Sequence, residues 1–340
     1  MVALNEAAQV PAEVLAAYFG DETVGVAPLS GGEVNTNWLA AYPDSRRRVV
    51  IQRLGSMFEQ EVVDDMHAAT GHLAEGGWEM PQLLRTHEDD GLYVETAASG
   101  GGKPDVWRAA TFIESDGRSA EYGPNSFFEF GSILAKLHGS LANLDYEPRF
   151  KIKDFHDTDL HLAKLKGFES QMPDQEAREF THDILAAYDN LQPLPPGKDQ
   201  LIHGDPRTAN MLFRDGKPFT YIDWDTLMKG SIWMDVGDLM RSLVEDSFLG
   251  TGQPLELERL REFAEGYRQA AMPDAAPDEF FAWAMTGMQR ITLELTARFV
   301  NDVIEQNYWA WDQVNYKSRR DYVVDRAHTQ WQIYTAYQNA

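Results

Sequence analysis

The feature that constrains the fold most is a predicted β-hairpin in the second half of the chain, NMLFRDGKPFTYID, which runs from Asn210 to Asp223. Two short apolar runs flank the turn sequence RDGKP, a pattern typical of two antiparallel strands joined by a tight turn. Asn210 directly precedes the first strand, and Asp223 directly follows the second. Because a hairpin brings its two ends together, we expect these side chains to lie side by side at its open end.

The two ends of this hairpin predict a site for a hard cation. Carboxylate and carboxamide oxygens suit Mg²⁺, which needs few protein ligands and keeps its other positions for water and phosphate oxygens. Asp205 lies one short loop earlier in the chain, so its carboxylate can face the same ion. A carboxylate in that place can accept a proton from an attacking hydroxyl.

Two other uses of these residues stay open. Asp and Asn at the ends of a hairpin often serve only as turn or cap residues through local hydrogen bonds. A two-metal hydrolase site built from His203, Asp205, Asp223 and Asp225 is a competing use. His203 is interpreted as a structural histidine, because its loop offers carbonyls and carboxylates that can orient the ring.

Composition and charge exclude several classes of function. The 340 residues, 43% of them hydrophobic, can bury a large core, and the length favours two lobes or domains. A formal charge of −24 disfavours nucleic-acid and anionic-membrane partners. The absence of cysteine excludes disulfides, thiolate metal sites and cysteine nucleophiles. Because neither a signal-like N-terminus nor a run of about 18 apolar residues occurs, we expect a soluble, cytoplasmic protein.

The chain changes character about one third of the way along. Alternating runs such as RRVVIQRL and VWRAATFIES predict strands before a lobe boundary near Glu114 to Gly117. The segment SFFEFGSILAKLHGSL then has a helical apolar spacing, and the patterns from Leu255 onwards are helical as well. The apolar positions that predict this first core helix are Phe127, Phe130, Ile133, Leu134, Leu137 and Leu141.

The stretches HGDPRTANMLF and YIDWD resemble the catalytic and metal loops of the aminoglycoside phosphotransferase and choline kinase superfamily, whose pattern is H-x-D-x-x-x-x-N, a hairpin and I-D. The resemblance implies an α+β, bilobal protein-kinase-like fold, with an antiparallel-sheet N-lobe at residues 1–115 and a mainly helical C-lobe at residues 116–340. It further implies ATP and Mg²⁺ as cofactors. Asp205 would be the catalytic base, while Asn210 and Asp223 would hold the metal.

The nucleotide site is expected upstream of these loops. Gly31 and Gly32 lie in a turn between two strand-like runs, where missing side chains let backbone N–H groups approach phosphates. This turn resembles the phosphate loop of the superfamily, with Asn35 and Thr36 as its polar contacts.

Kinases place a basic residue on the next strand, and here that position falls at Gln52 or Arg53. Arg53 is preferred because a neutral Gln cannot offset phosphate charge, although strand alternation allows only one of the two to face the nucleotide. The sequence offers no obvious helix glutamate to pair with it. Phe112, Ile113 and Glu114 occupy the position of the hinge, whose backbone would bind the adenine edge, or they simply continue a strand.

Four stretches, GGEVNTNWL, VVIQRLGSMF, IDWDTLMKGSIWMDVGDLMRS and ARFVNDVIEQNYW, resemble the N-acetylhexosamine 1-kinases within this superfamily. The resemblance implies transfer of the γ-phosphoryl group of ATP to a hydroxyl of an amino sugar, GlcNAc or GalNAc. Arg298 would bind the sugar, with Asp302 and Tyr308 as further contacts and Asp205 orienting the hydroxyl. From spacing alone, Arg298 and Asp302 share one helix face and could equally form a surface ion pair.

One departure from these sugar kinases leaves the acceptor open. Glu33 stands where the sugar kinases carry a histidine, so the choice of hydroxyl is not fixed by the resemblance. The alternatives are a kinase of another small alcohol, such as choline, ethanolamine, an aminoglycoside or a plain hexose. A catalytically silent kinase-like binding module is the alternative from a different class of function.

Overall fold

The structure is a computed structural model that describes residues 9–30, 34–43, 45–98, 102–116, 126–306, 309 and 311–338. Strands dominate its N-terminal part and helices the remainder, as predicted from the sequence. Five strands form one antiparallel sheet in the order β1, β2, β3, β5, β4. Their bounds are β1 Gly25–Leu29, β2 Thr36–Ala41, β3 Arg48–Arg53, β4 Val94–Thr96 and β5 Asp105–Thr111.

The two faces of this sheet pack against different partners. Helix α1, Ala12–Phe19, buries Tyr18 and Phe19 against one face, which carries Ile51 and Trp107. Helix α2, Glu61–Glu75, follows β3 and packs on the 3₁₀ turn Trp224–Thr226 of the C-terminal part. Since side chains alternate along a strand, the other face of the sheet is directed towards that turn.

Helices form most of the C-terminal part. They are α3 Ser126–Leu141, α4 Thr158–Phe168, α5 Gln175–Asp189, α6 Ile232–Thr251, α7 Leu257–Ala271, α8 Pro277–Glu305 and α9 Arg319–Tyr337. The six apolar positions that predicted α3 are all buried in the largest hydrophobic cluster, so this prediction is confirmed. Over the described residues, none of the helices combines the length and the apolar character that crossing a bilayer requires.

Close packing of α3 on α7 depends on two glycines. A Cβ at Gly131 would lie 1.9 Å from the carbonyl oxygen of Phe263, and a Cβ at Gly266 would lie 2.0 Å from that of Phe128. Only glycine therefore lets the two backbones approach this closely.

Two short antiparallel pairs carry the polar loops. Strand β6, Gln200–Ile202, pairs with β9, Met228–Gly230. Strands β7, Met211–Arg214, and β8, Lys217–Tyr221, form the predicted hairpin. Asp215 and Gly216 at its turn have positive φ values of 52° and 72°, as a tight turn compatible with strand twist requires. The backbone N–H of Ile222 donates to the carbonyl of Asn210 at 2.8 Å, which closes the open end.

Candidate active site

The loop that carries Asp205 is held by a buried carboxylate beneath it. Asp235 of α6 accepts hydrogen bonds from the backbone N–H groups of His203 and Gly204 at 2.8 and 2.9 Å. Its Oδ2 also lies 3.0 Å from Nε2 of His138. Burial alone would raise the pKa of Asp235, but the hydrogen bond and charge of His138 outweigh it and lower that pKa. The loop that carries Asp205 therefore rests on an ionised carboxylate, both oxygens of which have hydrogen-bond partners.

Asp205 and Asn210 form a direct side-chain contact. The carboxamide nitrogen of Asn210 lies 2.9 Å from both the backbone oxygen and Oδ2 of Asp205. Nε of Arg207 lies 3.3 Å from the same Oδ2, and the Asp205 side chain keeps 27% of its surface exposed. The Asp205 carboxylate is thus fixed in orientation while remaining accessible from the cleft, which suits a group that accepts a proton from a hydroxyl.

Asp223 directly follows the residue that closes the hairpin. Its backbone is left-handed, with φ 67° and ψ 65°, a conformation that is uncommon for non-glycine residues and costs energy. The residue is exposed to solvent. Surrounding protein, followed by the negative charges of Asp225 and Asp205, raises the pKa of Asp223 to about 7. Because a bound cation would offset this accumulation of negative charge, the site fits a metal ion.

The donor set at the hairpin end fits Mg²⁺ in its nucleotide complex. Asn210 uses its amide nitrogen towards Asp205, which leaves Oδ1 as the cation-binding atom of that side chain. Asp223 supplies carboxylate oxygens. Within the described ranges, no three His, Asp or Glu side chains converge as a metal-ligand cluster. An ion held by Asn210 and Asp223 would therefore take its remaining ligands from water and phosphate, as Mg²⁺ commonly does.

His203 does not offer a free ligand atom for a two-metal site. Its Nε2 lies 3.1 Å from the carbonyl of Ile222, and its Nδ1 accepts from the backbone N–H of Asp205 at 3.3 Å. The residue is fully buried, and this burial lowers its pKa. These contacts agree with a structural histidine and count against the two-metal hydrolase alternative.

Asp225 joins the metal loop to the N-terminal sheet. Its Oδ1 accepts from Nη1 of Arg108 at 2.5 Å, and its Oδ2 accepts from Nδ2 of Asn35 at 2.6 Å. The Arg108 and Asp225 side chains are each 1% exposed. The sequence analysis did not single out Arg108. Its only signal is a charged residue in the middle of the apolar strand VWRAAT, where a buried arginine requires a partner.

Gln52 and Arg53 lie on opposite faces of the sheet. Oε1 of Gln52 accepts from Nε of Arg108 at 2.9 Å, and its Nε2 donates to Asn37 at 3.0 Å. Arg53 lies instead near Asp105, at 3.9 Å, with its guanidinium 6.0 Å from the Trp107 ring. Gln52 is therefore the residue directed towards Asp225. A contact between Arg53 and nucleotide phosphates would require the Arg53 side chain to leave the opposite face.

Of the other predicted nucleotide contacts, Gly31 and Gly32 lie outside the described residues, and Asn35 is buried and bonded to Asp225. Thr36 is exposed at the start of β2, on the same face as Arg53, whose Nη2 lies 3.5 Å from its Oγ1. Phe112 follows β5, and its backbone N–H donates to the carbonyl of Arg48 at 3.1 Å. Arg48 also forms an ion pair with Glu114. The predicted Phe112, Ile113 and Glu114 segment therefore leaves the sheet as an anchored strand extension.

Arg298 and Asp302 of α8 are buried, and each has a partner. Nη1 of Arg298 lies 3.4 Å from Glu294, and the Arg298 side chain is 6% exposed. Nε of Arg319 lies 3.0 Å from Oδ2 of Asp302. A pair on the protein surface, the simpler alternative from spacing, is therefore not the environment of these residues. Tyr308 lies outside the described residues.

A chain of contacts runs from Arg298 to the catalytic loop. Glu294 lies 3.3 Å from Nδ1 of His156, whose Nε2 lies 2.6 Å from the carbonyl oxygen of Gly204, next to Asp205. His156 has a positive φ of 57°. The sequence analysis missed His156, because the segment FHDTD carries no pattern that links it to a loop 48 residues later.

The guanidinium of Arg298 also contacts two aromatic rings. It lies 5.3 Å from the centre of the Phe155 ring and 5.2 Å from that of Trp309. These distances are typical of cation–π contacts. The surroundings of Arg298 thus combine aromatic surface with a fixed charge near the catalytic loop.

Comparison with solved structures identifies proteins of similar fold. The amicoumacin kinase hAmiN, in complex with AMP-PNP, Ca²⁺ and its Ami ligand, is 13% identical, with a TM-score of 0.65 over 95% of this chain and 92% of that one. A microcompartment-associated aminopropanol kinase is 17% identical, with a TM-score of 0.64 over 96% of each chain. The choline kinase of Cryptosporidium parvum Iowa II is 13% identical, with a TM-score of 0.60 over 93% of this chain and 90% of that one. At these identities the likeness establishes the kinase-like fold, so the predicted fold class is confirmed.

The profile of one protein family covers most of the chain. It describes the APH phosphotransferase enzyme family and matches residues 25–280, which include the five-stranded sheet, the catalytic loop, the hairpin and α6. The chain therefore belongs to the APH phosphotransferase enzyme family.

Proposed function

We propose that this protein is an ATP- and Mg²⁺-dependent kinase that phosphorylates a hydroxyl of a neutral amino sugar, an N-acetylhexosamine such as GlcNAc or GalNAc. Two observations carry the proposal. Asn210 contacts Asp205 beside Asp223, which supports phosphoryl transfer. A chain of contacts connects the loop that carries Asp205 to Arg298, which supports a defined acceptor site.

In this proposal, Asn210 and Asp223 would hold Mg²⁺, which would neutralise charge on the nucleotide phosphates. Asp205, oriented by Asn210, accepts the proton of the acceptor hydroxyl. Arg207, which lies beside the carboxylate of Asp205, adds a positive charge near the transferred group. Positioning and charge neutralisation supply most of the rate enhancement, because the transition state of phosphoryl transfer is loose.

The nucleotide would lie under the sheet. The loop containing Gly31 and Gly32, together with Asn35 and Thr36, is proposed to contact the phosphates, and Phe112 to Glu114 the adenine edge. Arg53 remains the proposed cation from the sequence analysis, but its present contacts lie on the opposite face of the sheet. The side of the sheet directed towards Asp225 carries Gln52 and Arg108 instead.

Charge pairing near the catalytic loop favours a neutral acceptor over a cationic one. Asp238 and Glu245 of α6 both pair with Arg241. Glu294 pairs with Arg298, and Asp302 pairs with Arg319, as described above. Any of these four carboxylates could bind an ammonium group of choline or of an aminoglycoside only by giving up its arginine, at the cost of an unpaired buried charge. A sugar needs only hydrogen-bond partners and an apolar surface.

Arg298, Asp302 and Tyr308 are proposed as the sugar contacts. Arg298 offers N–H donors for a carbonyl or hydroxyl oxygen, and the nearby rings of Phe155 and Trp309 offer apolar surface. An N-acetyl group presents a carbonyl acceptor beside a methyl group, which matches this combination. A plain hexose lacks that group, so we expect it to bind more weakly.

An acceptor panel tests the proposal. ATP consumption is measured with Mg²⁺ and N-acetylhexosamines, plain hexoses, choline, ethanolamine and aminoglycosides, and the phosphorylated position of any product is located by NMR. We expect the highest kcat/KM with an N-acetylhexosamine. Faster turnover of choline or an aminoglycoside would overturn the acceptor assignment. No turnover with any acceptor, together with intact nucleotide binding, would favour the silent binding module.

A further inference from the structure

We infer that Arg108 and Asp225 form a positioning junction that holds the metal loop in register with the nucleotide loop. That this junction lies beside a nucleotide rests on the proposed function. The contacts that form the junction are observed independently of that function. Neither side chain is proposed to touch the substrate. The junction acts by fixing the metal loop against β5 and against Asn35, which directly precedes β2.

One carboxylate joins three separate segments at this point. Asp225 lies two residues after the proposed metal ligand Asp223. It accepts from Arg108 on β5 and from Asn35 at the edge of the nucleotide loop, at 2.5 and 2.6 Å. Both oxygens are therefore used by the N-terminal sheet, and neither partner is close in sequence to the metal loop.

The partners of Asp225 are themselves fixed. Oδ1 of Asn35 accepts from the backbone N–H of Gly55 at 2.9 Å, so the Asn35 side chain is held at both ends. Nε of Arg108 donates to Gln52, and Gln52 donates to Asn37. These residues form a continuous row of hydrogen bonds across β2, β3 and β5. A shift of the metal loop is consequently transmitted to the strands that support the nucleotide loop.

Stability alone gives little reason to bury this ion pair. Removing two charges from water costs several kcal/mol per ion, and well-packed apolar residues of similar volume are often equally stable. What apolar residues cannot reproduce is the directional link between Asn35, Arg108 and the metal loop. In this arrangement the carboxylate partner of Arg108 comes from the metal loop. Protein kinases instead pair the lysine of their sheet with a glutamate on a helix.

Nucleotide binding by three variants tests the junction. R108M and D225L each leave a buried charge without its partner, whereas R108M/D225L replaces the pair by apolar side chains. We expect both single variants to lose thermal stability and the double variant to regain it. In calorimetric titrations with ADP and Mg²⁺, we expect all three to bind about 10-fold more weakly than the wild type, within the usual range of coupling between sites. The affinity for ADP measured without Mg²⁺ should fall less in these variants.

A matched control separates positioning from stability. Val323 is buried in α9, within a separate hydrophobic cluster, so V323A should lower the Tm without changing the affinity for MgADP. Wild-type MgADP affinity in R108M/D225L would overturn the inference and leave the pair a structural role only. If the single variants fail to fold, R108K serves instead: it keeps the charge but cannot reach both Gln52 and Asp225, and we expect at least about 3-fold weaker binding.

The inference and the proposed function fail in different ways. A wild-type protein that binds MgADP but phosphorylates no acceptor overturns the kinase proposal, while the titrations still test the junction. A wild-type protein with turnover, whose R108M/D225L variant keeps a normal KM for ATP and a normal affinity for MgADP, overturns only the junction. A wild-type protein that does not bind MgADP overturns both.

Discussion

The carboxamide of Asn210 lies 2.9 Å from the carboxylate of Asp205 and thereby connects a proposed metal ligand directly to the proposed base. The same nitrogen also lies 2.9 Å from the backbone oxygen of Asp205, so both the loop and its side chain are fixed by one group. The orientations of the proposed base and of this proposed metal ligand are consequently coupled. Changes at the two residues should nevertheless have separable effects.

Asp205→Asn should lower kcat by at least about 100-fold, because a carboxamide cannot accept the hydroxyl proton. Nucleotide affinity should change little, since Asp205 is not proposed as a ligand of the metal. Stopped-flow or coupled assays of ATP consumption measure the first quantity, and calorimetric titration with MgADP measures the second. Turnover near the wild-type level would contradict the assignment of the base.

Asp223→Ala should abolish the Mg²⁺ dependence of nucleotide binding. The variant removes the only carboxylate of the proposed pair of ligands, and Asn210 alone cannot hold the ion. The measurement compares ADP affinity with Mg²⁺ and with EDTA in the wild type and the variant. Asp215→Ala, at the exposed turn of the same hairpin, is the control and should keep the wild-type difference. Equal Mg²⁺ dependence in all three proteins would exclude a metal site at Asp223.

Arg298→Met should raise the KM for the acceptor by about 10-fold or more, because the sugar loses a charged hydrogen-bond donor. The KM for ATP should stay within about 2-fold, a bound that corresponds to well under 1 kcal/mol. Arg290→Met is a control in the same helix, where the arginine pairs with Asp159 near the surface. If both variants raise the acceptor KM equally, Arg298 has no specific role in acceptor binding.

The His156–Glu294 pair should make stability depend on pH. Burial alone would lower the pKa of His156, but the hydrogen bond and charge of Glu294 outweigh it and raise that pKa above 6.5. Burial alone would raise the pKa of Glu294, but the contacts with His156 and Arg298 lower it from 4.5 to about 2. The contribution of His156 is therefore complete below pH 6.5 and is lost as the pH rises through its raised pKa. The contribution of Glu294 is present above pH 4.5 and is lost as the pH falls towards 2.

His156→Gln should accordingly reduce the free energy of unfolding most between pH 4.5 and 6.5. At pH 9 the difference from the wild type should be smaller, because His156 loses its charge, and with it the ion pair with Glu294, as the pH rises through its raised pKa. Denaturant unfolding at several pH values measures both quantities. His182→Gln removes an exposed histidine that pairs with Glu169, and its effect should be small at every pH. A difference that is independent of pH in His156→Gln would contradict the pairing.

Two glycines of α3 should respond to alanine in opposite directions. Gly131→Ala should destabilise the protein by about 1–3 kcal/mol or more, because its Cβ would meet the backbone of Phe263 at 1.9 Å. Gly139→Ala meets no atom within 4 Å and should stabilise the helix by roughly 0.5–1 kcal/mol. Thermal or denaturant unfolding measures the stability of both variants. Equal changes in stability would mean that α3 and α7 do not pack as closely as described.

Local patterns in the sequence determined several features of this protein. Helix α3 and the hairpin from Met211 to Tyr221 were predicted because side-chain periodicity and turn chemistry are properties of short segments. The order of Asp205, Asn210 and Asp223 along the chain predicted that their side chains lie close together, because a hairpin brings its two ends together. The sequence also established that Gln52 and Arg53 face opposite sides, although not which side faces the cleft.

Only the tertiary structure decided which distant groups meet. Arg108 and Asp225 are 117 residues apart, and they pair because the sheet packs with that face on the metal loop. His156 contacts both Gly204 and the α8 residue Glu294, which lie 48 and 138 residues away from it in the sequence. A buried charge must find a partner wherever the packing of the chain supplies one, and no local pattern identifies that partner. Sequence therefore identified the candidate active-site residues, whereas packing between the sheet and the helices determined how these residues are held.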